Sequence, residues 1–119
     1  MTLLWVALGA AVGAPLRYLV DRAVQSRHDS VFPWGTLTVN VSGSLLLAFL
    51  VALPTDPTVF AITGTGFCGA LTTYSTFSYE TLRLAQDGSH LIAGLNILIS
   101  TTACLAAACG GNVLALAIL

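Results

Sequence analysis

Charged side chains appear in this sequence only at Arg17 to Asp29, at Asp56, and at Glu80 to Asp87, and they separate four apolar runs. Pro57 to Tyr79, for one, has a length fit to cross a bilayer core of about 30 Å as a helix. The pattern therefore predicts an all-α membrane protein, one domain over 1–119, with four transmembrane helices at about 2–20, 33–53, 58–84 and 90–109. In the first helix Gly9, Gly13 and Ala14 form a small-residue face on which another backbone can lie close, and Pro15 is expected to kink its end. Asp21 to Phe32 reads as the one sizeable polar loop, with His28 solvated in it. Pro33 and Trp34 open helix two, since proline's missing N–H costs nothing there and tryptophan anchors at interfaces. Pro54 to Pro57 and Ala85 to Ser89 read as turns. Gly110-Gly111-Asn112 is expected to interrupt helix four.

Two polar stretches violate the apolar pattern. In helix two, Thr36, Thr38, Asn40, Ser42 and Ser44 alternate with apolar residues, as in a half-buried strand. A lone strand cannot satisfy its backbone in lipid. On a helix the same residues fall into two rails spaced by four, Thr36/Asn40/Ser44 and Thr38/Ser42; one rail can face a pore, and the competing reading is that these serines and threonines only hydrogen-bond helix to helix. Asn40 stands out because a buried primary amide requires a partner or a substrate. The second violation is Gly64 to Tyr79, GTGFCGALTTYSTFSY, within the uncharged run Pro57 to Tyr79. Each of its glycines weakens a helix by about 1 kcal/mol relative to alanine, and its threonines compete for local backbone. Irregular backbone at mid-membrane is tolerated only where it is buried in protein or lines a cavity, so this stretch is the functional candidate. Ser100, Thr101, Thr102 and Cys104 form the polar patch of helix four.

Composition agrees. Of 119 residues, 56% are hydrophobic and 8% charged, with mean hydropathy +0.90, whereas soluble domains carry about a quarter charged residues. A net charge of −1 without lysine gives no basic stripe for nucleic acid. Cys68, Cys104 and Cys109 lack metal-ligand spacing and sit in apolar runs, where cysteine packs as a small apolar residue. There is no nucleophile with a base partner, phosphate loop or cofactor motif, so an enzyme is not expected. Nor does Met1 to Leu16 carry the positive n-region of a cleaved signal peptide.

Three blocks carry a family resemblance: Gly9-x-x-x-Gly13-Ala14-x-x-Arg17-Tyr18, Gly35-Thr36-Leu37-x-Val39-Asn40-x-x-Gly43, and Gly66-Phe67-Cys68-Gly69-x-Leu71-Thr72-Thr73-x-Ser75-Thr76-Phe77-Ser78. In order and spacing the chain resembles the small fluoride channels called Fluc or CrcB. The resemblance implies an antiparallel dimer of four-helix subunits in the inner (plasma) membrane, with two fluoride pathways along the interface. It also implies a third helix broken at its centre, where carbonyls of Gly69 and Thr72 from each subunit hold a structural sodium ion. The family's paired aromatics fall on Tyr74 and Phe77, one turn apart; Asn40, Ser75 and Thr76 supply donors, and Ser100 and Cys104 continue the track. Tyr74 stands where the family has phenylalanine, and Cys104 where serine or threonine is common. Arg17 admits two readings, a pore-mouth residue or a snorkelling interface arginine.

The rival transport reading is a small multidrug exporter, also of four helices, whose proton exchange needs a membrane carboxylate in helix one; none lies in 2–20. A non-transporting membrane protein would leave Asn40 and the TTYSTF stretch without purpose. Charge adds an expectation about assembly. All four arginines belong to or border loops one and three, and arginine counts in short loops set topology. One fixed orientation is expected, which favours pairing with a paralogous subunit of opposite bias over pairing with itself.

Overall fold

The computed structural model describes residues 2–28, 32–54 and 56–118, and it is helical throughout, with no strand among the described residues. Helix α1 spans Thr2–Ser26 and α2 spans Trp34–Ala52. The next stretch is assembled from pieces: α3 (Pro57–Phe60), a π-helical segment (Ala61–Cys68), α4 (Gly69–Leu71) and, beyond residues 72–74, α5 (Ser75–Gln86). Helix α6 spans His90–Ile118.

Helices α1, α2 and α6 are each long and apolar enough to cross a membrane. Their outward faces carry Leu3, Leu8, Val12 and Leu19 on α1 and Leu91, Leu98, Leu105 and Leu114 on α6, all exposed. An apolar exterior of this kind is what lipid covers, and the molecule is a multi-pass membrane protein. Its longest dimension, 47 Å, exceeds the hydrocarbon core.

Two expected boundaries shift. Helix α1 does not stop near Val20 but continues to Ser26, so most of the expected loop is helix. Arg22, Ala23 and Gln25 are good helix formers, and Arg22 Nη1 donates to the Tyr18 hydroxyl one turn back at 2.7 Å. His28, exposed as expected, folds back on this end, its Nδ1 2.8 Å from the Val24 carbonyl and its ring 5.4 Å from that of Trp34. Of the expected turn and loop, Asp29, Ser30, Val31 and Thr55 lie outside the described residues. Helix α6 runs straight through Gly110-Gly111-Asn112 to Ile118. In lipid a backbone that leaves the helix must find other partners, and Gly111 has a packing role instead: a Cβ there would collide with the Leu45 carbonyl and the Phe49 N–H of α2.

The packing falls into two main layers, α2 along α6 and α1 along the π-helical segment. In the second, Gly9, Gly13 and Gly66 bring backbone onto backbone. A Cβ on Gly9 would strike the Ile62 carbonyl, one on Gly13 the Phe67 carbonyl, and one on Gly66 the Val6 carbonyl and the Gly9 Cα. Among the described residues this seam shows close backbone approach and no side-chain hydrogen bond across it. Asp56 caps the start of α3 through the Thr58 N–H at 2.8 Å, with Pro57 at the first helical position. Gly88, at φ +84, closes the end of α5 in a left-handed turn in which Ser89 N–H reaches the Leu84 carbonyl at 2.8 Å.

Candidate functional site: the opened helix and its groove

The helical path that begins at Pro57 continues through Leu71 and then stops, because Thr72 is extended (φ −78, ψ 157). Glycine-rich sequence prepares the stop. Across Gly64, Gly66 and Gly69 the hydrogen bonding widens to π geometry, with the Gly69 N–H reaching the Gly64 carbonyl five residues back, an arrangement frequent at functional sites. Thr72 then directs both its N–H (3.0 Å) and its hydroxyl (2.9 Å) to the Cys68 carbonyl.

What holds the opening is Asn40. Its Oδ1 accepts from Thr73 N–H at 2.7 Å and its Nδ2 donates to the Thr73 carbonyl at 3.0 Å. A side-chain amide thus pairs with one residue's backbone as a neighbouring strand would. Had the helix continued, Thr73 N–H would have gone to the Gly69 carbonyl, four residues back; the clamp takes that proton, and the Gly69 oxygen is released from the helix ladder. Among the described residues, no atom beyond Gly69's own neighbours and helix backbone lies within 4 Å of a Cβ built on it. Thr73 also restarts the helix, since its hydroxyl accepts from Thr76 N–H at 3.1 Å as an N-cap does.

Beside this opening lies a groove of about 340 Å³, lined by Asn40, Ser44, Leu47, Thr72, Thr73, Tyr74, Phe77, Ser100, Thr101 and Cys104 among others, none of them charged. It brings together Asn40, Tyr74, Phe77, Ser100 and Cys104 of the expected pathway residues. Ser75 and Thr76 are not in its wall; Ser75 is exposed and Thr76 half-buried on other sides of α5. The Tyr74 and Phe77 rings stand 6.1 Å apart, tilted by 46°, and Tyr74 is 80% exposed at the open side. Of the two rails on α2, Asn40 and Ser44 of the first line this groove, while its third member Thr36 is buried away from it; of the second, Thr38 turns its hydroxyl to its own helix at the Trp34 carbonyl, 2.8 Å away, and Ser42 is exposed.

At the charged end a second cavity, of about 470 Å³, is lined by Tyr18, Asp21, Arg22, Gln25, Ser26 and Glu80. Buried Thr36 donates to a Glu80 carboxylate oxygen at its edge. Arg17 is half-buried one turn before Asp21 and is not part of either wall.

Two residues here were given no site role from the sequence. Thr73 is one; the signal was a hydroxyl three residues before Thr76 at the point where a helix could restart. The other is Asn96, 1% exposed in α6, whose Nδ2 donates to Thr81 Oγ1 at 2.7 Å while its Oδ1 accepts from Ser100 Oγ at 3.2 Å. An amide four residues before a serine inside an apolar run was its signal.

These features define a class: a multi-pass helical membrane protein with a neutral, donor-lined groove beside a helix held open by an asparagine. Residues 4–112 match the family described as "CrcB-like protein, Camphor Resistance (CrcB)", and the chain belongs to that family. It is 55% identical to the "Fluoride-specific ion channel FluC 1" of Frankia casuarinae, with 99% of this chain and 98% of that protein covered. It is 49% identical to "FluC 2" of Mycobacterium tuberculosis over 90% and 85% of the two chains, and 47% identical to "FluC" of a Shewanella species over 87% and 86%.

Proposed function

We propose that the chain is a subunit of a fluoride channel that lets fluoride leave the cytoplasm passively across the plasma membrane. The observation that carries this reading is the uncharged groove in which Asn40, Ser100 and the Tyr74 and Phe77 rings face one space. Ring edges are the positive part of the aromatic quadrupole, and neutral donors attract an anion without holding it, as conduction requires. The relatives named as fluoride-specific channels support it.

The groove is open along one side, and a second subunit in antiparallel orientation would close it. A sodium ion suits the opening of the helix: carbonyl oxygens are the hard ligands such a cation prefers, and the Gly69 oxygen, freed by the Asn40 clamp, with that of Thr72, would hold it. Bound there, sodium would supply fixed positive charge at the subunit interface. The charge bias favours a paralogous partner as the second subunit. With α1 lengthened, Arg17, Arg22 and Arg27 all lie toward one end of it, and Arg83 lies on the other element that borders the charged cavity. Tyr74 is then tolerable, because the partner supplies the second aromatic pair.

Liposomes reconstituted with the purified chain, alone and with a paralogue, test this by fluoride efflux set against cation-driven drug efflux. Fluoride efflux unaffected by a sodium gradient is expected. Proton-coupled export of organic cations would overturn the reading, as would fluoride flux that scales with the sodium gradient. Cysteine labelling from each side should place the C-terminus on one side only; labelling on both sides would favour a homodimer.

A further inference from the structure

The hydrogen-bond chain through Asn96 has a fixed direction, and direction decides which group can meet an anion. It starts at Thr81, whose hydroxyl donates its one proton to the Phe77 carbonyl at 2.8 Å. Toward Asn96 at 2.7 Å that hydroxyl can therefore only accept, so the amide must present its NH₂ to Thr81 and its oxygen to Ser100. Facing an amide oxygen, Ser100 must donate. Its single proton is then turned into the protein, and the groove meets a serine oxygen with no hydrogen to offer. Buried amides require such partners, and Asn96 is 1% exposed.

We propose that Asn96 is a specificity-determining residue: its oxygen competes with the anion for the Ser100 proton, and only an anion that is the better hydrogen-bond acceptor wins it. This rests on reading the groove as an anion pathway. Fluoride, small and the strongest acceptor among the halides, rotates the hydroxyl out of the Asn96 bond and into the groove. Chloride, larger and a weaker acceptor, leaves the proton where it is and faces the serine lone pairs. No covalent bond changes; one O–H···O contact is exchanged for one O–H···F contact. At 3.2 Å the Ser100 bond is the longest of the three and well above the usual O–H···O distance, as befits the link that must open. Once fluoride departs, the amide oxygen recovers the proton, so the site resets.

Thr81 acts through Asn96, and this separates the proposal from simple helix packing. Without the Thr81 hydroxyl the amide is free to turn over and offer NH₂ to Ser100, which releases the serine proton to the groove for any anion. The test is the ratio of chloride to fluoride flux in liposomes for native protein, Asn96→Leu, Thr81→Val and Thr81→Ser. Both Asn96→Leu and Thr81→Val should raise the ratio at least tenfold, while Thr81→Ser, which keeps the hydroxyl, should match the native protein. Thr81→Val is nearly isosteric and decides the matter if Asn96→Leu does not assemble. A purely structural role would lower both fluxes together, and an unchanged ratio in Thr81→Val would overturn the proposal. The same ratio can be read as binding, from ¹⁹F line broadening of fluoride with chloride as competitor on purified protein. A native protein that passes no fluoride either alone or together with a paralogue would sink the channel reading, and the binding ratio would still decide the role of Asn96.

Discussion

Residues 57–71 and residues 75–86 are consecutive lengths of one helical path, yet different forces hold them. The first length lies against α1 across Gly9, Gly13 and Gly66, backbone touching backbone. The second is tied by side chains: Thr73 caps it, Thr36 bonds Glu80, and Asn96 bonds Thr81. Close-packed backbone tolerates almost no displacement, whereas a hydroxyl or amide can exchange one partner for another at little cost when the new partner is equivalent. The first length is a fixed wall, and the second carries the groups that can respond to a passing ion. Asn40 works at the junction, converting the end of one into the start of the other.

If this contrast is right, the largest effect comes from adding bulk to the wall. Gly66→Val places carbon atoms where the Val6 carbonyl and Gly9 Cα already stand, and because both are backbone the two helices must separate. Overpacking costs about 1–3 kcal/mol and occasionally more; with backbone on both sides and no side chain able to yield, a cost beyond that range is expected, seen as loss of monodisperse protein in detergent. Normal yield and unfolding midpoint would show that the seam is looser than described. Asn40→Leu comes next. It leaves the N–H and C=O of Thr73 unpaired at roughly 1–3 kcal/mol each, so a lowered unfolding midpoint should accompany lost fluoride flux. Flux lost with stability unchanged would make Asn40 a pathway donor only and not the clamp.

The smallest effects come from two adjacent glycines in α6. Gly111→Ala should destabilise by about 1–3 kcal/mol, because its Cβ meets Leu45 and Phe49 of α2, whereas a Cβ on Gly110 meets no other element among the described residues. Gly110→Ala should therefore leave stability unchanged or raise it by up to about 1 kcal/mol, the helix-propensity difference. Unfolding midpoints of the pair give the answer, and equal losses at both would contradict the packing of α2 on α6.

The same contrast explains what could be read in the sequence. Four apolar runs and Pro33 are local signals, and they foretold a chain built of helices alone. Asn40 was legible because one amide in an apolar run demands a partner, although the partner itself, the backbone of Thr73, was not. Long-range pairing was hidden in general: nothing near Asn96 says that Thr81 lies opposite, and nothing near Gly111 says that its role is contact with Leu45. That is why Gly110-Gly111-Asn112 reads as an interruption and folds as continuous helix. Likewise Ser75 and Thr76 share a motif with Phe77 but point to other sides of α5, since a helix restarted at Thr73 turns about 100° per residue.

The central claim is that fluoride passes the groove where Phe77 faces Asn40 and Ser100. Fluoride efflux from liposomes, followed with a fluoride electrode for native protein and Phe77→Ile under conditions that conduct for the native assembly, tests it most directly. Phe77 lines an open groove rather than the packed seam, so the variant should assemble normally and its efflux should fall to that of empty vesicles. Efflux at the native rate from a correctly assembled Phe77→Ile protein would contradict the claim.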